Sequence, residues 1–272
     1  MMQSEQHSTL RKGCCDMGEM IDHEYVVITC GEPTEDACLK SLSAKHPIRI
    51  KILRNLYPIS EAMNVMHRDS GDFVTCVNSD MILNEDADDV INRAIYDENR
   101  RGGKWCAIIH ALYDTFEKRS IYGLVSYNNK LIKSLGVQHP NVIGSDRKFK
   151  ENLEKMGYVW RIMSLACPIG NHDLRSATRG MLYSKYSDRV KKNTENYFFT
   201  NDLIRRWLID VKNSDEKAAA ALLGFLHPRP STDERNRMIE NSDPIRIWLD
   251  DPKTSDNDVI ERTTFELKKR FK

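Results

Sequence analysis

Over the first hundred residues, short apolar runs alternate with stretches of helical period. EYVVITC at 24–30 is β-branched and closed by Gly31, which predicts a buried strand. Thr34 stands where a helix cap belongs, ahead of a helix reaching about Ala44. Glu35 and Asp36 suit its positive end. IRIKIL at 48–53 predicts a second strand. Ser60 opens a helix carrying Ala62, Met63, Val65 and Met66. Gly71 and Asp72 punctuate before a strand over 73–77, which stops in Asn78, Ser79 and Asp80. Asn84 is placed to cap a helix whose apolar residues Ala87, Val90, Ile91, Ala94 and Ile95 fall on one face. WCAIIH at 105–110 reads as another strand. Such alternation predicts an α/β domain with a mostly parallel central sheet flanked by helices.

Farther along, Ser145 is placed to cap a helix with Phe149, Leu153 and Met156 on its apolar side, closed by Gly157. An extended apolar run follows and breaks at Gly170, Asn171, His172 and Asp173. Beyond about residue 195 the pattern turns helical, over 201–211 and 215–226. HPRP then interrupts, Ser231 and Glu234 make a capping box, and a charged helix starts near Asp256. IRIWL at 245–249 is short, and its pattern does not choose between helix and strand. The expected organisation is a flexible leader over 1–22, an α/β catalytic and nucleotide-sugar-binding domain over 23–194, and a helical C-terminal extension over 195–272.

Composition narrows the setting. The chain of 272 residues is 40% hydrophobic and 30% charged. No run approaches the roughly 18 apolar residues of a membrane span. The first residues lack the apolar core of a signal peptide. The seven cysteines are odd in number and form no CxxC pair, so a reducing, cytoplasmic setting is expected. Net charge is +1, which makes no general case for a nucleic-acid partner. Local patches leave a nucleic-acid acceptor open. Residues 173–212 hold nine Lys or Arg against five Asp or Glu, which suits a phosphate-bearing ligand or an ordinary solvated helix surface.

Three residues stand out chemically. Asp80 ends an apolar strand, where α/β sheets place ligands, and a carboxylate there can hold a hard divalent cation. It is otherwise a surface turn residue. His172 follows a long apolar run beside glycine and asparagine, and neutral imidazole ligates manganese. It is otherwise a cap or loop residue. Asp146, in a first helical turn, can accept a hydroxyl proton, or it is ordinary cap chemistry. The chain has no GxGxxG, no GxxxxGK[ST] and no GxSxG. It also lacks a glycine-rich, lysine-containing loop that would favour a nucleotidyltransferase.

Taken in order, these segments resemble the family 2 glycosyltransferases and their GT-A, Rossmann-like relatives. VVITCGEPTEDACLKSL is similar to the family's opening strand, turn and helix. EAMNVMHRDSGDFVTCVNSD is similar to its AxN helix, acidic turn and strand running into DxD. Ala62 and Asn64 take the AxN positions, Asn78 the first DxD position and Asp80 the last. SDRKFKENLEKMGYVW resembles the segment opened by an ED pair, with Asp146 on the aspartate and Ser145 replacing the glutamate. GLVSYNNKLIKSLG falls where the acceptor-side segment belongs.

The resemblance implies a transfer from a nucleoside-diphosphate sugar, with a UDP-sugar favoured, to a hydroxyl acceptor. It implies Mn2+ or Mg2+ held by Asp80 and His172, and Asp146 as base, hence inversion. Thr29, Gly31, Glu32, Asn64, Asn78 and Ser79 would contact the nucleotide, and Arg175 and Arg179 the diphosphate. The DDGS-like segment that follows the second strand in relatives is missing, and IRIKIL passes directly into RNLYPISEAMN. The alternative is an inactive nucleotide-binding or interaction protein on the same fold. Oligomeric state stays open.

Overall fold

A computed structural model describes residues 22–43, 49–142, 144–192, 201–227 and 244–270. Most of the leader and the capping box at Ser231 and Glu234 lie outside the described residues. The parallel core is β1 (His23–Thr29), β2 (Arg49–Arg54) and β3 (Phe73–Asn78), with β1 in the middle. Val27 pairs with Ile52 on one side and Val77 on the other. These strands sort their side chains by the period of two. Tyr25, Val27 and Val77 face one apolar layer, with Cys38 and Leu42 of α1 (Glu35–Ser43) and Ile91 and Ile95 of α3 (Ala87–Arg101). Val26, Ile28, Val74 and Cys76 face the other. Met63 and Met66 of α2 (Ile59–Asp69), Ile132 of α4 (Asn129–Leu135) and Phe149 and Leu153 of α5 (Ser145–Lys155) cover that side.

The sheet is mixed, which corrects the expectation of a mostly parallel one. Its order is β2-β1-β3-β6-β5-β8-β4, with β7 also on β5. The predicted strand at 105–110 continues as β5 (Trp105–Asp114) and turns back as β6 (Arg119–Asn128), antiparallel to both β5 and β3. The strand pairs β4 (Met81–Leu83) and β8 (Gly170–His172) are antiparallel too. β7 (Val159–Ile162) and β8 both run parallel to β5 along its second edge. Strand–helix alternation foretold the crossovers of the first half, whereas the β5–β6 hairpin and the three-residue strands carry no alternation long enough to read.

Two caps also differ from expectation. Asn84 gives its amide to Pro168 O at 3.2 Å, and Asp86 takes the N-cap of α3. Gly144 (φ 77°) precedes α5, and the Ser145 hydroxyl lies 3.4 Å from His139 Nδ1.

The C-terminal half is a separate apolar layer of helices. Its core is α8 (Glu216–Leu226), whose Ala218, Ala219, Ala220, Ala221, Leu222 and Leu223 are all buried. Around it pack α6 (Arg179–Lys192), α7 (Asn201–Lys212), α9 (Pro244–Asp250) and α10 (Asp256–Arg270). IRIWL is therefore helical, within α9. Asp215 caps α8 by accepting from the N–H groups of Lys217 and Ala218. At Gly224 a Cβ would collide with the Tyr183 carbonyl, so glycine is what lets α6 and α8 approach. Among the described residues no helix is long and apolar enough to cross a membrane.

Inside the sheet, a polar ladder crosses four strands. His23 Nε2 meets Thr75 Oγ1 at 2.7 Å, Thr75 meets Ser126 Oγ at 2.7 Å, and Ser126 meets His110 Nε2 at 3.1 Å. On the opposite face Asn129, His67 and His139 form a second buried chain, with contacts of 2.9 and 3.2 Å. Burial drives the His23, His67 and His110 imidazoles down to about 4 and His139 to about 2, from an ordinary 6.5. The unfolded chain therefore takes up protons on these groups below pH 6.5, while the folded chain does not until pH nears 4. Stability must fall as pH falls through that window. Urea unfolding at pH 7.5 and pH 5 is expected to show a lower midpoint at pH 5, with unfolding taking up roughly two or more protons. Equal midpoints would mean that the four rings are not desolvated.

Candidate functional site

The short strands bring three distant segments to one point. β8 lies between β5 and β4, with His172 paired to Asp114 on one side and to Met81 on the other. Asp80 immediately precedes β4, and its carbonyl accepts the N–H of Asp173 at 2.6 Å. The Thr115 N–H donates to His172 O at 3.1 Å. Backbone register thus brings the Asp80, Asp114 and His172 side chains together. Gly170 permits this closeness, because a Cβ there would stand 2.6 Å from Ile82 O.

The imidazole of His172 then spans two carboxylates. Its Nε2 is 3.0 Å from Asp80 Oδ2 and its Nδ1 is 2.8 Å from Asp114 Oδ2. Lys185 of α6 reaches the same Asp114 oxygen at 3.2 Å. Asp114 Oδ1 accepts the N–H groups of Phe116 at 3.0 Å and Glu117 at 2.6 Å. Burial pushes the Asp114 carboxyl upward, but the His172 hydrogen bond, the Lys185 charge and the Glu117 N–H outweigh it and hold it well below the ordinary carboxylate range. Burial pulls the His172 imidazole down, but hydrogen bonds to Asp114 and Asp80 prevail and raise it above its ordinary value.

The second oxygen of Asp80, Oδ1, is buried and has no hydrogen-bond partner among the described residues. An orphaned carboxylate oxygen next to an imidazole whose far nitrogen is held by a carboxylate suits a divalent cation. Among the described residues no group of three or more His, Cys, Asp or Glu could hold an ion by itself. Asp80 and His172 could supply two ligands, and magnesium-type sites with so few protein ligands are completed by substrate phosphates and water.

Other expected residues fall around the end of β1. The Thr29 hydroxyl lies 2.9 Å from Glu32 Oε2 and 2.6 Å from Glu35 Oε2, and its single proton serves one of them at a time. Glu32 also accepts from Cys30 N at 2.9 Å and from the Ser79 hydroxyl. Burial raises the Glu32 carboxyl, while the Ser79, Cys30 and Thr29 hydrogen bonds bring it below its ordinary value. Gly31 (φ 80°) makes the turn, which glycine takes without strain. Thr29, Gly31, Glu32 and Ser79 therefore share one network, and Asn78 is exposed beside it at the end of β3.

The remaining expected residues are engaged elsewhere. Asn64 spends its amide on the backbone of His139, at 3.2 and 2.8 Å. Arg175 pairs with Asp173 at 2.7 Å and leaves its side chain 76% exposed. Arg179 turns to Thr254 O at 3.1 Å and Asp256 at 3.3 Å. Asp146 is exposed in the first turn of α5, in the layer with α2 and α4, and makes no hydrogen bond or ion pair with Asp80 or His172. Sequence reasoning missed Asp114 and Lys185. The signal for Asp114 was present: an apolar run, WCAIIHALY, that stops in an aspartate, as the strand before Asn78–Asp80 also stops in polar residues. Lys185 carried no such mark.

No family model matches the chain, and no curated protein matches it. Solved structures give distant similarities. S. aureus TarS 1-349 is 14% identical over 92% of each chain, with a TM-score of 0.42. The bifunctional IspDF of Campylobacter jejuni is 12% identical over 55% of this chain and 52% of that one, at 0.37. The 4-diphosphocytidyl-2C-methyl-D-erythritol synthase of Anaerococcus prevotii is 9% identical over 52% of this chain and 87% of that one, at 0.35. Those identities are too low for any residue's role to pass to this chain.

Exchange of Asp114 for asparagine tests the geometry directly. The amide loses the charge that Lys185 meets and cannot accept on both faces. If Asp80 and His172 hold a cation, Asp114→Asn is expected to weaken manganese(II) binding by about 10–100-fold, read by electron paramagnetic resonance of the free ion. Unchanged binding would separate Asp114 from the cation.

Proposed function

We propose that this chain is a metal-dependent glycosyltransferase. It moves a sugar from a nucleoside-diphosphate sugar, a UDP-sugar by preference, to a hydroxyl acceptor. The observation that carries this reading is the Asp80–His172 pair, 3.0 Å apart, beside Asp80 Oδ1, which is buried and has no partner among the described residues. Both residues stand out in the sequence from segments roughly ninety positions apart, and the sheet register joins them at the strand ends.

In this reading Asp80 and His172 hold Mn2+ or Mg2+. Such an ion, when bound, neutralises charge growing on the departing diphosphate. Asp114 orients His172 by taking its Nδ1–H, which leaves Nε2 for the ion. Glu32, Thr29 and Ser79 shape the nucleotide side, with Asn78 beside them and Gly31 turning the backbone. Arg175, whose partner Asp173 bonds to the Asp80 backbone, is the better placed of the two arginines to meet a diphosphate. Arg179 would first have to leave Asp256. Asp146 accepts the acceptor's hydroxyl proton, which requires the acceptor to lie between α5 and the cation.

Calorimetry of the full chain with a panel of nucleoside diphosphates tests the core of this reading. UDP binding is expected to require manganese and to vanish in Asp80→Ala, with turnover down by about 10²–10³. Equal nucleotide affinity with manganese and with chelator would overturn it. That outcome would favour the alternative, a nucleotide-binding protein in which protonated His172 closes the pair without metal, a state that its raised pKa supports.

A second measurement concerns Asp146. Proton NMR of the first-formed product is expected to show an inverted anomeric centre, and Asp146→Asn to reduce turnover with little change in UDP affinity. A retained configuration would remove Asp146 from the base role.

A further inference from the structure

The turn of the β5–β6 hairpin, residues 115–118, joins the sheet to the helical extension. On one side it holds Asp114, whose Oδ1 takes the N–H groups of Phe116 and Glu117. On the other, the same two residues meet the extension, Phe116 half-buried against its core and Glu117 buried. The Phe116 ring packs 5.9 Å from Tyr186 and 5.7 Å from Trp207, centroid to centroid. Tyr186 and Trp207 meet edge-on at 4.5 Å. Glu117 is fully buried, yet every polar group of it that the turn uses is met. Its Oε1 accepts the Tyr186 hydroxyl at 3.0 Å, its Oε2 accepts Arg119 Nε at 2.8 Å, and its carbonyl accepts Arg206 Nη1 at 2.6 Å.

Consecutive residues of α6 therefore grip Asp114 from both sides. Lys185 touches Oδ2 directly, and Tyr186 acts on Oδ1 through Glu117. We infer that Tyr186 is a positioning residue of the Asp80–His172 site and that the helical extension is part of that site's construction. The inference rests on the reading of Asp80 and His172 as cation ligands. Loss of the Tyr186 hydroxyl changes no charge, so no shift in the site's net attraction for a cation offsets the effect. It removes one donor from a buried carboxylate. The turn then relaxes, and with it the N–H pair that fixes Asp114 against His172. By reciprocity, a ligand bound at the site tightens α6.

The test uses the full chain at fixed pH, with manganese(II) and UDP as the probe. Calorimetry is expected to show at least about fivefold weaker binding in Tyr186→Phe and in Phe116→Leu. Hydrogen exchange of the wild-type chain is expected to slow over residues 182–187 when the probe is added. A merely structural role would lower the melting temperature and leave both readouts unmoved. Should Tyr186→Phe not stay folded, the wild-type exchange measurement decides alone. A wild-type chain without manganese-dependent UDP binding would sink the underlying cation reading. A wild-type chain that binds, with unchanged affinity in Tyr186→Phe and no protection of α6, would sink this inference alone.

Discussion

The site depends on the pairing of β8 between β5 and β4. Three residues of backbone, Gly170 to His172, hold together a strand end, a hairpin and a chain reversal. The ladder is cooperative with side-chain chemistry. Once His172 stands opposite Asp114 and Met81, its ring has a carboxylate at each nitrogen. Buried charges of this kind are costly alone and tolerable when each is paired and hydrogen-bonded. Here the pairing is nearly complete, and among the described residues Asp80 Oδ1 is the oxygen of this cluster left without a partner.

The two apolar layers and the helical extension play different parts. The layers beside the sheet fix where β1 and β3 end, and so where Thr29, Asn78, Ser79 and Asp80 emerge. The extension has its own core around α8, and it also takes in Phe116 from the hairpin. Leu174, Ala177 and the first half of α6 belong to that core, so its packing begins well before the point where the sequence pattern turns helical. Lys185 and Tyr186 sit at this seam, on the side of α6 that faces the sheet.

Much of the fold was legible because burial on one face leaves a periodic trace. β1, β3 and α3 announced themselves through Val26 to Ile28, Val74 to Val77, and the Ala87–Ile95 stripe. Asp80 and His172 were legible for a related reason, since each ends an apolar run. α6 was not. Gly180, Ser184, Lys185 and Ser187 dilute the face that Leu182, Tyr183 and Tyr186 bury. β4 and β8 are too short for any period to show, yet they bring the site together. Asn64 teaches a further lesson. Its place in a family-like pattern is equally well explained by its two bonds to the His139 backbone, and only the fold reveals those.

One glycine carries a wider meaning. At position 170 the neighbouring chain leaves no room for a side chain, because Ile82 O and the Leu83 backbone crowd the space where one would begin. Besides the backbone bonds that flank it, such as Asp173 N–H to Asp80 O and Thr115 N–H to His172 O, a strand of three residues has little else to set its alignment. A slip by one position would turn the imidazole of His172 toward the opposite surface of the sheet and leave two carboxylates facing each other across an empty gap. The smallest residue in the chain thus acts as the index mark that tells the histidine which way to point.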